Sequence, residues 1–200
     1  MVVALGHSDA TAEQVDVAVA AGARYVTHLF NGMAPFGHRA PGVVGAALAG
    51  DVVVCGLIAD GLHVDPTAVR AAWRALGPTR LDLVSDAVAA AGAPPGAARL
   101  GGVDVVAGPA GVRTAGGVLA GSTLALDAAV RNLVSWTGCE PHEAIATVTA
   151  TPAALLGLTG KGRVEAGADA DLVLLTGALE VVATIVAGAV VHSTEPAWRS

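Results

Sequence analysis

Apolar runs alternate with amphipathic stretches along most of the chain, and this alternation predicts repeated strand–helix units. Four runs have the length of buried β-strands, at residues 2–6, 24–29, 52–59 and 81–84. Helical patterns or loops follow each of them. Crossover connections between parallel strands are right-handed in nearly every known case. We therefore expect these four strands to lie parallel in one α/β sheet.

Helix start signals support the same division. Thr11 and Gln14 have the spacing of a capping box, in which each side chain binds the backbone of the other residue. Asp65 followed by Pro66 is typical of a cap and a first helical position. A later amphipathic helix is predicted to begin at residues 121–122, with leucine, alanine and valine on its apolar side.

The pattern changes after the fourth strand and again near the carboxyl terminus. Short alternating segments predict a hairpin insertion near 101–118. Short β runs separated by glycine turns follow in the tail, at 161–164, 170–175, 181–186 and 190–191. We predict two domains: a partial (β/α) barrel of four units over 1–157, and strands of a small β-sandwich over 158–200.

Composition narrows the classes of protein that fit. Hydrophobic residues make up 54% of the 200 residues but aromatic ones only 3%, which suits strands packed on both faces by small side chains. A net charge of −6 argues against nucleic acid or an anionic membrane as the partner. The sequence shows no membrane-length apolar run, no signal peptide and two cysteines without ligand-like spacing. We expect a cytoplasmic protein with reduced thiols.

Polar side chains follow all four predicted strands: His7, His28, Asp60 with His63, and Asp86. In parallel βα architecture the carboxyl ends of the strands meet at one crevice, where such proteins carry their chemistry. Each residue alone also fits a cap, a turn or a buried hydrogen-bonded group. Together they predict a site in which two histidines hold a zinc-like ion and a carboxylate acts as base.

One arginine is a candidate for anion binding. Arg39 lies in the glycine- and proline-containing loop that follows His28. A guanidinium can bind a phosphate through two parallel hydrogen bonds. A solvated loop arginine is the alternative interpretation.

Several sequence blocks resemble successive motifs of the N-acetylglucosamine-6-phosphate deacetylases, which belong to the amidohydrolase superfamily. They are HSDAT at 7–11, THLFNGM at 27–33, HRAPG at 38–42, ADGLHVD at 59–65, LVSDA at 83–87, LAGS at 119–122 and GADADLV at 167–173. The resemblance implies the carboxyl-terminal half of a TIM barrel with part of a small β-sandwich. It also implies a metal-dependent hydrolase that converts N-acetyl-D-glucosamine 6-phosphate to D-glucosamine 6-phosphate and acetate in amino-sugar catabolism.

The resemblance also implies roles for single residues. His7 and His28 would be ligands of one or two divalent ions, zinc or iron. Asp86 would be the catalytic base and then the acid that protonates the leaving amine. The substrate-binding residues would be Asn31, Gly32, Arg39, Asp60, His63, Leu119, Ala120 and Gly121. In this family the protein is a homodimer, and the arginine matching Arg39 binds the phosphate across the dimer interface.

The sequence departs from the family pattern, and these departures lead to an expectation about how the chain is assembled. A full barrel has eight units, and the family's upstream half supplies a glutamate metal ligand, whereas no glutamate here follows a predicted strand. Asn31-Gly32 also replaces the usual Asn-Ala. We expect that the chain self-associates, pairs with a separate amino-terminal half, or is a truncated product.

Two other functions remain open at this point. One is a non-catalytic remnant that keeps the fold. The other is a different amidohydrolase, of the dihydroorotase or deaminase type. The sequence also leaves open the identity and number of the metal ions, the oligomeric state, and the choice between glucosamine and galactosamine phosphates.

Overall fold

Four parallel strands form one sheet in the order in which they follow along the chain. The computed structural model describes residues 1–196. The strands are β1 (Val3–Leu5), β2 (Ala23–Val26), β3 (Val54–Leu57) and β4 (Leu81–Leu83). Helices α1 (Ala12–Ala20), α2 (Gly42–Ala49) and α3 (Pro66–Arg80) connect them. The predicted parallel sheet is confirmed, and the carboxyl ends of its strands lie at one edge.

Local capping sets the helix ends as the sequence predicts. The Thr11 hydroxyl accepts a hydrogen bond from the backbone N–H of Gln14 at 3.3 Å, and the Gln14 side chain accepts one from the Thr11 N–H at 2.9 Å. The Asp65 carboxylate accepts one from the Thr67 N–H at 2.7 Å, directly before α3. These bonds satisfy N–H groups that the first helical turn leaves free.

The main core lies between the sheet and its helices. Five strand side chains on this face are at most 2% exposed: Val26, Cys55, Leu57, Leu81 and Leu83. They pack in one cluster with apolar residues of α1, α2 and α3, including Val15, Val43, Val69 and Ala72. This packing fixes the strand positions, and with them the residues that follow each strand.

The opposite face of the sheet carries a polar pair. The Tyr25 hydroxyl on β2 donates a hydrogen bond of 2.9 Å to the carboxylate of Asp82 on β4. The pair crosses β3, where Val54 is the register partner of Tyr25 and Gly56 is that of Asp82. Burial raises the pKa of Asp82, although the Tyr25 hydrogen bond opposes the change. Burial and the negative charge of Asp82 both raise the pKa of Tyr25.

We expect Gly56→Ala to destabilise the protein by roughly 1–3 kcal/mol, because a methyl group here overpacks the sheet. A Cβ at this position would lie 2.3 Å from the Tyr25 hydroxyl oxygen and 3.2 Å from the backbone nitrogen of His28. Urea unfolding measures the change. Gly96→Ala is the matched control, since a Cβ at that strand glycine meets nothing within 4 Å. Equal stability of the two variants would contradict the prediction.

A three-stranded antiparallel sheet follows β4. It contains β5 (Gly96–Leu100), β6 (Val103–Gly108) and β7 (Gly111–Thr114) and has a small core of its own. The β6–β7 turn lies against the rest of the chain: a Cβ at Gly111 would be 2.9 Å from Leu119 and 3.2 Å from Leu62. The antiparallel sheet therefore contacts two segments that contain predicted site residues.

The remaining helices are α4 (Leu126–Thr137), α5 (Pro141–Ala146) and α6 (Ala150–Leu156). The start predicted for the first of them at residues 121–122 is wrong. Gly121 has φ 69°, and Ser122 forms a parallel bridge with Ala87 instead of entering a helix. Pairing with a distant segment overrides the local helical pattern here.

The tail forms a separate antiparallel sheet in the order β10-β9-β8. Its strands are β8 (Leu172–Leu175), β9 (Val181–Val186) and β10 (Ala189–Ser193). The β run predicted at 161–164 is wrong, because these residues form an irregular bend, and Lys161 there pairs with Asp169 and Asp171. The division into domains 1–157 and 158–200 stays a prediction, and 197–200 lie outside the described residues.

Candidate active site

Two of the predicted site residues meet directly. His7 follows β1 and His28 follows β2, and their Nε2 atoms are 2.9 Å apart. The rings are nearly perpendicular, at 79°, with centroids 4.7 Å apart. Two imidazole ligands of one tetrahedral zinc ion, with bonds of about 2.0–2.1 Å, would have nitrogens roughly 3.3 Å apart. A small widening of the pair would therefore admit a divalent ion between these two atoms.

The backbone is strained at three of the residues that follow the strands. His7, His28 and Asp86 have φ values of 47°, 25° and 48°. Non-glycine residues seldom adopt positive φ, and each such residue costs on the order of 1–3 kcal/mol. Among residues 1–196 only three other non-glycine residues, Phe30, Leu179 and Ala187, share this feature. Strain concentrates at the predicted site, as it does at many functional sites.

The loop after His28 is held by backbone hydrogen bonds. Leu29 N–H donates to the Gly56 carbonyl at 2.7 Å, and Asn31 N–H donates to the His28 carbonyl at 3.0 Å. The Asn31 side-chain amide also donates, at 3.4 Å and 3.3 Å, to the carbonyls of His28 and Leu29. The Asn31 amide nitrogen therefore fixes the turn that carries His28.

Gly32 allows this loop to approach the histidine pair closely. It has φ 62°, and a Cβ there would lie 2.8 Å from Nδ1 of His7. The His28 ring is buried, and its Nδ1 has no hydrogen-bond partner within residues 1–196. Metal-binding histidines usually donate this second N–H to an acceptor. The described part of the chain supplies none.

Asp60 and His63 form a second pair after β3. Oδ1 of Asp60 accepts from the backbone N–H groups of Leu62 and His63, each at 2.8 Å, while Oδ2 lies 2.7 Å from Nδ1 of His63. Their side chains are 11% and 5% exposed. Burial tends to raise the pKa of Asp60, but the hydrogen bonds from His63 and Leu62 outweigh it, and the pKa is lowered. An ionised Asp60 therefore orients the His63 ring.

The other predicted residues are placed differently. Asp86 is exposed, and its side chain makes no hydrogen bond with the described residues. Leu119 bridges to Arg113, and the Ala120 N–H donates to the Val112 carbonyl at 2.9 Å, so this segment joins β7 to the turn at Asp86. Neither Asp86 nor the Asp60–His63 pair is in hydrogen-bond contact with His7 or His28 within residues 1–196.

Arg39 is exposed and forms no hydrogen bond or ion pair with residues 1–196. Its guanidinium is therefore available to an anion. Within the same range no group of three or more histidine, cysteine, aspartate or glutamate residues could hold a metal ion. The histidine pair thus fits two ligand positions of a divalent metal site, and the described residues do not provide the third.

A parallel α/β sheet with two histidines at the carboxyl ends of neighbouring strands is an arrangement typical of metal-dependent hydrolases. The profile of the amidohydrolase family matches residues 1–191, and the chain belongs to this family. The family generally uses a divalent metal ion.

Two curated relatives show which enzymes of this family the chain resembles. The N-acetylglucosamine-6-phosphate deacetylase of Rattus norvegicus is 42% identical, with 98% of this chain and 49% of the relative covered. The N-acetylgalactosamine-6-phosphate deacetylase of Escherichia coli O157:H7 is 45% identical, with 90% of this chain and 48% of the relative covered. The resemblance predicted from the sequence blocks is confirmed.

A solved structure agrees with the sequence matches. The crystal structure of N-acetylglucosamine-6-phosphate deacetylase from Thermotoga maritima superposes with a TM-score of 0.93 at 37% identity, over 97% of this chain and 53% of that one. The predicted partial amidohydrolase barrel is confirmed. The chain spans about half the length of the curated relatives it matches. No helix within residues 1–196 is long and apolar enough to cross a membrane.

Proposed function

We propose that this chain takes part in hydrolysing the acetamide of N-acetyl-D-glucosamine 6-phosphate to D-glucosamine 6-phosphate and acetate. The observation that carries the proposal is the approach of the His7 and His28 Nε2 atoms to 2.9 Å at the strand edge from which Asp86 also projects. The relatives named as deacetylases of acetylated amino-sugar phosphates support the reaction and the substrate class. We further propose a cytoplasmic location, in keeping with amino-sugar catabolism.

His7 and His28 would hold a divalent ion, zinc or iron, with further ligands from outside residues 1–196. A longer chain or a paired amino-terminal half would supply them. Such an ion, when bound, supplies a Lewis acid that polarises the acetamide carbonyl and makes water more acidic. Neutral imidazole nitrogens suit either metal.

The side chains of this chain would move the protons. Asp86 takes a proton from the attacking water and gives it to the sugar nitrogen as the carbon–nitrogen bond breaks. An amide nitrogen is a poor leaving group unless it is protonated, so both transfers are needed. His63, whose Nδ1 lies 2.7 Å from the Asp60 carboxylate, would contact the substrate through Nε2. Nε2 would donate to the carbonyl oxygen when the ring carries both protons, and would accept from a sugar hydroxyl when Nε2 is unprotonated.

The segment from Leu119 to Gly121 would line the space for the acetyl group, beside the Asp86 turn. Arg39 would bind the phosphate, together with the loop at Asn31 and Gly32. Because Arg39 is exposed and has no partner among residues 1–196, we propose that it reaches the site of a second copy in a homodimer.

An acetate-release assay combined with metal analysis tests the proposed function. We expect acetate from N-acetyl-D-glucosamine 6-phosphate when the chain is assembled with the segment that completes the metal site. A folded, metal-loaded assembly that releases no acetate would favour the non-catalytic remnant. Comparison with the galactosamine epimer decides the sugar preference.

We expect Arg39→Lys to raise the KM for the sugar phosphate about 10- to 100-fold and to change kcat little. Lysine keeps the charge but loses the paired donors, and a hydrogen bond to a charged group contributes roughly 1.5–3 kcal/mol. Steady-state kinetics measure both constants. Arg74→Lys is the control, because Arg74 is also exposed and unpaired within residues 1–196 but lies on α3. An unchanged KM for Arg39→Lys would contradict the phosphate role.

A further inference from the structure

Ser122 holds the turn at Asp86 through three hydrogen bonds. Its hydroxyl donates to the Ser85 carbonyl, its backbone N–H donates to the Asp86 carbonyl at 2.8 Å, and its carbonyl accepts from the Val88 N–H at 3.0 Å. The residue is 2% exposed. Ser122 is therefore hydrogen-bonded to Ser85, Asp86 and Val88.

The preceding glycine lets the two segments come this close. Gly121 has φ 69°, and a Cβ there would lie 3.0 Å from the Asp86 carbonyl oxygen and 2.3 Å from the Val88 side chain. Any larger residue at position 121 would push the segments apart. The close contact depends on this Gly-Ser pair.

The Asp86 turn needs such support. Asp86 has φ 48°, and its carboxylate is exposed with no hydrogen bond of its own within the described residues. A strained turn relaxes unless its surroundings hold it. Among residues 1–196, the side chains that form hydrogen bonds with this turn are those of Ser85, which accepts from the Ala87 N–H at 3.3 Å, and Ser122. Ser122 supplies the contact from outside the turn.

The Ser122 hydroxyl also connects the turn to the segment that leads into α4, because it accepts a hydrogen bond from the Leu124 N–H at 3.0 Å. Donor and acceptor are thus both in use. Alanine at position 122 would lose both bonds, whereas threonine could keep both.

We infer that Ser122 is a positioning residue, which holds the Asp86 carboxylate at the site by fixing the strained turn beneath it. This role rests on the proposed function, in which Asp86 transfers the protons. Small displacements of a catalytic group cost large factors in rate.

Ser122→Ala tests the inference in the assembled enzyme. We expect kcat to fall about 10- to 100-fold with KM within about twofold, because the turn moves while the proposed phosphate-binding residues Asn31, Gly32 and Arg39 stay. Ser122→Thr should recover most of the lost kcat. Amide hydrogen exchange should rise in peptides covering 85–88 in the alanine variant and in no other region to the same extent.

Thr151→Val is the matched control. Its buried hydroxyl donates to the Pro78 carbonyl, so the variant also loses one long-range hydrogen bond but leaves the Asp86 turn intact. An equal fall in kcat for Thr151→Val would overturn the inference, as would an unchanged kcat or unchanged exchange at 85–88 in Ser122→Ala. If the wild type releases no acetate, the proposed function fails, and exchange at 85–88 alone decides whether Ser122 holds the turn.

Discussion

Replacing His28 with alanine is expected to remove specific metal binding. The change leaves His7 as the single imidazole at this point, and the 2.9 Å approach of two nitrogens disappears. Loss of an outer partner of a metal ligand already weakens binding about 10- to 100-fold, and loss of a ligand itself should exceed that range. Metal titration and elemental analysis of the assembled protein measure the effect.

Two further variants make the His28 result interpretable. Alanine at φ 25° adds strain, whereas asparagine tolerates positive φ better, so His28→Asn should lose the metal with less loss of stability. His142→Ala is the control, since His142 is an exposed histidine on α5. Metal content equal to wild type in both His28 variants would contradict the ligand assignment.

Asp86→Asn is expected to lower kcat on the order of a thousandfold while the fold and the metal content stay unchanged. General acid–base catalysis contributes about 10²- to 10⁴-fold, and an amide cannot take the proton. Asparagine has nearly the same shape and also tolerates φ 48°, so stability should change little. Acetate release, thermal unfolding and metal analysis together check this result.

The matched control for Asp86 is Asp104→Asn. Asp104 is an exposed aspartate on β6 that pairs with Arg99 across 3.4 Å. An exposed pair of this kind adds little to stability, so the control should behave as wild type. An Asp86→Asn variant that keeps more than about a tenth of the wild-type kcat would contradict the proton-transfer role.

The sequence predicts the parts of the fold that depend on short-range patterns. The Thr11–Gln14 capping box and the Asp65 cap form as expected, because their partners lie within three residues. The approach of His7 to His28 also follows from the sequence, since parallel neighbouring strands bring their ends together. The metal-ligand and catalytic roles of these residues stay predictions.

Long-range pairing accounts for what the sequence does not predict. Gly121 and Ser122 have the local pattern of a helix start, yet the positive φ of Gly121 and the hydrogen bonds of Ser122 with Asp86 and Val88 prevent a helix there. Tyr25 and Asp82 lie in apolar strands 57 positions apart, and only the register of the sheet pairs them. The positive φ values also could not be predicted from the sequence, because histidine and aspartate, although enriched at positive φ among non-glycine residues, adopt negative φ at most positions.

The strained backbone at His7, His28 and Asp86 has a consequence for sequence design. Glycine adopts positive φ without steric cost, so a design procedure that optimises stability alone would favour glycine at all three positions. It would thereby erase two imidazoles and a carboxylate, the groups that give this edge of the sheet its chemistry. For this protein, a search for stabilising substitutions has to keep these three positions unchanged, because the residue with the least backbone strain there, glycine, has no side chain for metal binding or proton transfer.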